Sequence, residues 1–148
     1  MGKVESTVTI ARPVEDVYSF LLALDENATD PNTESVAKEP AGPTAPGTTF
    51  RFRHKGRGDK VRETTMQFTA LEPNRRIAFS GDVGPVRPEG AFSLEPADGD
   101  GTRLSVRIDK LNPVGPLKLL SPVLSLVGRR IWDARLQRIK AANESFAP

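Results

Sequence analysis

The sequence predicts an α+β fold in which an antiparallel sheet is covered on its one dry face by a long C-terminal helix. The first observation is that apolar and polar residues alternate at 4–10 and in several segments of 48–109, as they do in a sheet wetted on one side. The second is that apolar residues recur every three or four positions through 116–146, which is the spacing of one helix face. A strand, a short helix, several strands and a long helix in this order are typical of an α+β domain.

The composition is that of one ordinary globular domain spanning 1–148, and a chain of this length can bury a real core. The net charge of +2 is too small to indicate a nucleic-acid or membrane partner by itself. Because the chain has no Cys and one His, we expect no disulfide and no metal site. We also expect no cofactor. No segment has the pattern of a leader peptide or a membrane span, which predicts a cytoplasmic protein.

The first third of the chain predicts a strand, a short helix and a second, brief strand. Residues 4–10 alternate, so the first strand is half-buried. Residues 14–24 place apolar side chains at helical spacing and acidic ones in the first turn, where the helix dipole favours them. A polar loop is expected at 25–33, a brief strand at 35–38 and a loop rich in Pro and Gly at 40–47.

The central part of the chain predicts a meander of strands joined by turns rich in Gly, Pro, Asn and Asp. The alternating segments are 50–54, 62–70, 77–79, 92–94 and 104–108. In the second of these segments, the residues that share the inward face are Arg62, Thr64, Met66, Phe68 and Ala70. The dry face of such a sheet must be covered, and the C-terminal helix is the one element long and apolar enough to do so.

The C-terminal helix is predicted to carry an apolar stripe made of Leu117, Leu120, Leu124, Val127, Ile131 and Ala134. Gly128, Arg135, Ile139 and Ala142 lie beside this stripe. A Gly in a helix interior costs about 1 kcal/mol relative to Ala, and Arg135 brings a charge to the edge of an apolar face, so both positions suggest a role beyond packing. Pro122 either begins the regular helix, with Ser121 as its N-cap, or kinks a longer one.

The turn and core positions of the chain carry a resemblance to a known group of proteins. They are Ile10, Ala11 and Pro13; Gly47, Thr48 and Phe50; Leu71, Glu72, Pro73 and Arg76; Gly101, Thr102, Arg103 and Leu104; and Leu120 and Pro122. With these residues the sequence resembles the SRPBCC superfamily of START-like, helix-grip proteins, and within it the polyketide cyclase/dehydrase and lipid-transport group. The resemblance covers nearly the whole chain and includes no catalytic signature.

The resemblance implies a curved, seven-stranded antiparallel sheet wrapped around the last helix, with a cavity between them for a bulky apolar molecule. One departure is visible, because many relatives carry a Trp after the first helix whereas residues 25–36 contain none. The shape of the cavity mouth on that side is therefore not implied by the resemblance.

The candidate ligand-binding residues are those whose spacing directs them inward. The apolar ones are Phe50, Phe52, Met66, Phe68, Phe79, Phe92, Leu124, Gly128, Ile131 and Trp132. They predict either an aromatic wall for a ring-bearing or lipid-like ligand or an ordinary hydrophobic core. The polar ones are His54, Arg62, Thr64 and Arg135. Either the arginines bind an anionic group of a ligand and His54 transfers a proton, or these side chains simply reach water.

The sequence thus favours a protein that binds an apolar cyclic, polyketide-like or lipid-like molecule, as a monomer or homodimer. Whether it is also an enzyme stays open; if it is, we expect cyclisation or dehydration, with His54, Arg62 or Thr64 as the catalytic candidates. The alternative is a protein- or RNA-partner module that docks through the basic hairpin 51–62. Such a run is more often a solvated hairpin, so nucleic acid is not the expected partner.

Overall fold

The computed structural model describes residues 4–25, 33–55, 60–83, 86–112 and 121–145, with the backbone alone for 121–125. These described residues form two helices and seven strands. They are β1 (Val4–Ile10), α1 (Val14–Leu22), β2 (Thr33–Glu39), β3 (Thr49–Lys55), β4 (Val61–Glu72), β5 (Arg76–Asp82), β6 (Glu89–Ala97), β7 (Gly101–Lys110) and α2 (Ser121–Ser145). A single 3-10 turn, Asp98–Asp100, joins β6 to β7.

The seven strands form one antiparallel sheet in the order β1-β7-β6-β5-β4-β3-β2. The strands from β2 to β7 follow one another as a meander, and β1 joins the far edge beside β7. With a curved sheet, a long C-terminal helix and a short helix after the first strand, the predicted helix-grip fold is confirmed.

The sheet buries one face, as the alternation predicts. In β1 the burial alternates strictly, and Val8 lies opposite Leu104 of β7 while Val4 lies opposite Ile108. All four of these side chains are buried. Each such pair removes apolar surface from water on the same side of the sheet, which stabilises the packing of α1 and α2 against that side.

A β-bulge in β4 changes the predicted face of its last residues. The pairing between β4 and β5 shifts between Phe68 and Ala70, so that Leu71 rather than Ala70 lies opposite the buried Ile77. The strict alternation that placed Ala70 on the inward face is therefore wrong after Phe68. A bulge adds one residue to a strand and reverses the face of everything beyond it.

The helix α2 buries a different stripe from the predicted one. Among the side chains of α2 that the structure describes, the buried ones are Trp132, Leu136, Ile139 and Asn143. Of the predicted stripe, Val127 and Ile131 are 46% and 50% exposed, and Ala134 is exposed too. Residues 116–120 and 146, and with them Leu117 and Leu120, lie outside the described residues, as does the side chain of Leu124. Ile139, predicted beside the stripe, is buried, whereas Val127 and Ile131 of the stripe face the cavity. Periodicity identifies an apolar face without saying what lies against it.

Three side-chain hydrogen bonds attach α2 to β1 and the residues that follow it. Ser6 in β1 donates its hydroxyl proton to the Asp133 carboxylate. Near the end of the helix, Lys140 Nζ donates to the carbonyl oxygen of Thr9 at 2.7 Å, and the backbone N–H of Ala11 donates to Glu144 Oε2 at 2.9 Å. These bonds fix the position of α2 along one edge of the sheet. Within the described part of the chain, neither helix is long and apolar enough to cross a membrane.

Candidate functional site

A cavity of about 470 Å³ lies between the sheet and α2. Its walls come from both layers: β3, β4 and β5 on one side, and α2 from Val127 to Ile139 on the other. Cavities of roughly 300–1,000 Å³ with mostly apolar walls and a few polar groups are typical small-molecule sites. The described lining fits that description, because most of it is apolar and its polar side chains come from a few positions.

Three aromatic rings form one wall of the cavity. Phe79 of β5 and Phe92 of β6 have ring centroids 5.1 Å apart, and Trp132 of α2 lies 5.9 Å from Phe79 and 5.6 Å from Phe92, which it meets edge to face. Rings at such distances and angles attract one another beyond the burial of their area. The cluster therefore joins helix to sheet and at the same time presents aromatic surface to the cavity.

Phe50 and Phe68, which the sequence also pointed towards a ligand, do not belong to the described lining. Both are 0% exposed and their rings pack against each other at 5.1 Å. These two residues are therefore part of the ordinary hydrophobic core, the second of the two interpretations offered by the sequence. Their burial comes from being enclosed by neighbouring elements, which alternation along a strand cannot reveal.

The part of β3 and β4 nearer their connecting hairpin faces the cavity with half-buried side chains. Phe52 and Met66 are half-buried there, and the Phe52 ring stacks on the His54 ring with a centroid separation of 6.1 Å and an angle of 7°. These side chains are only half-buried because they face the cavity.

His54 lies between two threonine hydroxyl groups in the cavity wall. Its Nδ1 is 3.2 Å from Thr33 Oγ1 in β2, and its Nε2 is 2.9 Å from Thr64 Oγ1 in β4. In a neutral imidazole one nitrogen donates and the other accepts, and a hydroxyl group can complement either. The arrangement holds the ring nearly parallel to that of Phe52 and makes a three-membered polar chain across three strands.

The two predicted arginines reach the cavity from opposite layers. Arg62 lies opposite His54 in the β3–β4 pairing and is exposed at the cavity margin. Arg135 is half-buried in α2, and its guanidinium carbon lies 4.7 Å from the centre of the Trp132 ring, a cation–π contact. The cation beside the apolar face of the helix is thus held on an aromatic ring that itself lines the cavity.

Gly128 and Ile131 complete the predicted contribution of α2 to the cavity wall. A Cβ at position 128 would lie 3.1 Å from Val4 Cγ2, so the Gly allows α2 to pass close to β1. Its cost in helix propensity has a packing explanation. Ile131 is exposed because it faces the open part of the cavity.

Several lining residues escaped the sequence interpretation. They include Val4, Phe20, Leu24, Thr33, Val83, Val86 and Leu111. Val4 belongs to the first strand, which was predicted only as half-buried, while Thr33 was placed in a loop although β2 begins there. Val83 directly follows β5, Leu111 directly follows β7, and Val86 lies between β5 and β6. No periodic signal identifies positions outside the strands.

Arg51 on the outward face of β3 is paired with two carboxylates. Arg51 binds Glu63 at 2.9 Å and Glu39 at 3.1 Å, and its pKa is raised above the ordinary value by the hydrogen bond to Glu63, then by that to Glu39. The turn residues 56–59 of the basic hairpin lie outside the described residues. Arg51 belongs to the basic hairpin that the sequence offered as a docking surface for a protein or RNA partner. Its charge is matched by the carboxylates of Glu39 and Glu63.

Comparisons with known proteins agree with this fold. Residues 1–144 match the family model described as polyketide cyclase / dehydrase and lipid transport. The structure is similar to that of TTHA0849 from Thermus thermophilus, at 18% identity and a TM-score of 0.73 over 99% of each chain. It is also similar to the Zhui aromatase/cyclase from Streptomyces sp. R1128, at 23% identity and a TM-score of 0.75 over 96% of this chain and 93% of that one.

A third similar structure is the di-domain ARO/CYC protein StfQ of the steffimycin biosynthetic pathway. It shares 19% identity with a TM-score of 0.73, and the match covers 97% of this chain and 50% of that one. At identities this low, the structural similarity shows a shared fold and no more. No protein of curated function matches the chain.

Proposed function

We propose, from the premise that this chain belongs to the polyketide cyclase / dehydrase and lipid transport family, that it is a cytoplasmic binding protein for a bulky apolar molecule. The resemblance stated from the sequence is confirmed at the level of the superfamily. The ligand, cyclic, polyketide-like or lipid-like, occupies the cavity between the sheet and α2.

The observation that carries this proposal is the accessible cavity of about 470 Å³ within a well-packed fold. Protein interiors are normally filled to crystal density, with few voids larger than a water molecule. A space this large faced by Phe52, Met66 and Ile131 leaves apolar surface in contact with water. A ligand that covers it gains about 25 cal/mol for each Å² of apolar area removed from water.

Two variants of neighbouring residues test the proposal. Met66→Trp places a larger side chain in the cavity, whereas Gln67→Trp places the same side chain on the exposed outer face of β4. With N-phenyl-naphthylamine as a fluorescent apolar probe, Met66→Trp is expected to weaken binding about tenfold or more and Gln67→Trp to leave it within about twofold. Circular dichroism verifies that both variants fold.

The proposal fails if the wild-type protein does not bind the probe, or if both tryptophan variants bind it as the wild type does. Native mass spectrometry of freshly purified protein provides a second readout, since a captured ligand adds mass. A protein that carries no added mass and shows no thermal shift across lipids and polyphenols contradicts the binding function.

Catalysis is a second candidate function, favoured by the chain formed by Thr33, His54 and Thr64. A His held by hydrogen bonds inside an apolar cavity is suited to general acid–base catalysis. Such an activity would remove a proton from the carbon next to a carbonyl group, the first step of a cyclisation or dehydration. Deuterium incorporation into an aryl ketone such as tetralone, followed by proton NMR, measures that step.

The wild type is expected to accelerate this exchange, His54→Ala to abolish the acceleration, and Arg53→Gln on the outer face to retain it. A rate equal to that of buffer in the wild type, or an unchanged rate in His54→Ala, contradicts catalysis and leaves the binding function standing.

A further inference from the structure

The described lining of the cavity carries positively charged groups and no acidic ones. Its ionisable side chains are Arg62, Arg135 and His54, and no Asp or Glu is among the described lining residues. Arginine stays protonated at physiological pH, so two of the three are permanent cations. On the outer face of the sheet, the carboxylates of Glu39 and Glu63 bind Arg51.

We propose that the ligand is an acidic amphiphile, with an apolar body and one ionised oxygen group such as a carboxylate or a phenolate. This inference rests on the proposed binding function and adds the charge of the ligand to it. The apolar body covers the aromatic and aliphatic walls, and the ionised group binds an arginine of the lining.

The sign of the lining charge determines which ligands are favoured. A charge transferred from water into a largely apolar cavity is costly unless it is paired. An anion is paired with a guanidinium there, and such charge-assisted hydrogen bonds are stronger than those between neutral groups. A cationic ligand of the same shape meets like charge on the described lining, and a neutral ligand forms no charge-assisted hydrogen bond with it.

The two arginines offer two distinct places for the ionised group. Arg62 reaches the margin of the cavity from β4 and is exposed there. Arg135 lies on Trp132, which contacts Phe79, and Phe79 lies opposite Phe68 in the sheet. The two arginines thus reach the cavity from different layers, and single variants identify which of them binds the ionised group.

A pair of fluorescent probes with a common body tests the inference. Anilinonaphthalene sulfonate is anionic, whereas N-phenyl-naphthylamine has nearly the same ring system without the acid group. The quantity measured is the ratio of the two dissociation constants in the wild type, in Arg62→Gln, in Arg135→Gln and in the double variant. The double variant Arg53→Gln/Arg130→Gln is the control, because both of these arginines are exposed and neither belongs to the described lining.

The expected result is that the preference for the anionic probe falls about fivefold or more in the double variant Arg62→Gln/Arg135→Gln. At least one single variant shows most of this loss, the neutral probe binds within about twofold throughout, and the control retains the preference. A preference that is unchanged in the double variant, or equally reduced in the control, overturns the inference.

Competition on the wild-type protein supplies a test that requires no variant. Dodecanoate, dodecanol and dodecylammonium share one chain and differ in charge, and each displaces the neutral probe to an extent set by its affinity. Dodecanoate is expected to bind most tightly and dodecylammonium most weakly. Equal displacement by all three contradicts the acidic ligand while supporting the binding function, whereas failure of every probe to bind contradicts both.

Discussion

Two parts of the sheet, β1 with β7 and β3 with β4, have the same alternating sequence pattern, but different elements lie against their apolar faces. In β7, Leu104, Val106 and Ile108 are only 0–1% exposed, because β7 and its neighbour β1 lie under the helices. In β3 and β4, Phe52 and Met66 have the same inward parity and are half-buried beside a cavity. Alternation therefore tells which face of a strand is apolar, and the covering element decides whether that face becomes core or binding surface.

The position of α2 explains the difference between these two sides. The hydrogen bonds from Ser6, Lys140 and Ala11 hold the helix along β1. Trp132 then reaches across to Phe79 and Phe92, and Ile131 is left facing open space. We call the β1–β7 side with Leu136 the packed side, and the β3–β4 side with Ile131 the open side.

The largest expected effect separates two residues of α2 that differ in this respect. Leu136→Ala on the packed side removes a side chain that is 1% exposed, and should lower the free energy of unfolding by about 2–5 kcal/mol. Ile131→Ala, at a residue 50% exposed, should lower it by less than about 1 kcal/mol. Urea denaturation measures both, and equal losses would show that the two sides are packed alike.

The next effect concerns the crossing of α2 over β1. Gly128→Leu inserts a side chain where even a Cβ would lie 3.1 Å from Val4 Cγ2, and should cost about 1–3 kcal/mol of stability. Ala141→Leu on the exposed face of α2 is the control and should cost little. If Gly128→Leu is tolerated equally well, the close crossing inferred for this helix is incorrect.

A smaller, pH-dependent effect is expected at the end of α2. The pKa of Glu144 lies below its ordinary value, because Lys140 and then the backbone N–H of Ala11 hydrogen-bond to its carboxylate. The resulting stability is complete above the ordinary glutamate pKa of about 4.3 and is lost as the pH falls through the lowered folded-state pKa.

Glu144→Gln should therefore lose about 0.2–1 kcal/mol at neutral pH, and the difference from the wild type should shrink below about pH 4. Thermal unfolding at several pH values checks this. A difference that stays constant down to strongly acidic pH would contradict the assigned carboxylate contacts.

The smallest expected effect is at the margin of the open side. Arg62 is exposed, so Arg62→Gln should change the free energy of unfolding by no more than about 0.5 kcal/mol. Differential scanning calorimetry provides the measurement. A loss well above that value would mean that Arg62 supports the fold, and its assignment to the binding surface would have to be withdrawn.

Much of the fold could be predicted from the sequence, because strand alternation and helix periodicity are local properties. The α+β class, the inward parity of Phe52 and His54 and the long final helix follow from them. The bulge after Phe68 and the buried stripe of α2 do not, since both depend on contacts between distant segments.

The candidate site was harder to predict for the same reason. Phe50 and Phe52 are two residues apart with identical parity, and the structure buries one and places the other in the cavity wall. Thr33 joins His54 only because β2 pairs with β3. The inward parity of strand residues such as Phe52 and His54 follows from the sequence, whereas the place of the cavity among the inward residues depends on where α2 crosses the sheet.

The central claim, that an apolar ligand binds between the sheet and α2, is tested most directly through Trp132, the one tryptophan of the chain. Its indole N–H gives a single signal in a proton–nitrogen correlation spectrum of the wild-type protein. During titration with N-phenyl-naphthylamine this signal should shift and saturate at one ligand per protein, with the dissociation constant found by fluorescence. Saturable binding of the probe with an unmoved indole signal would place the ligand elsewhere and contradict the account.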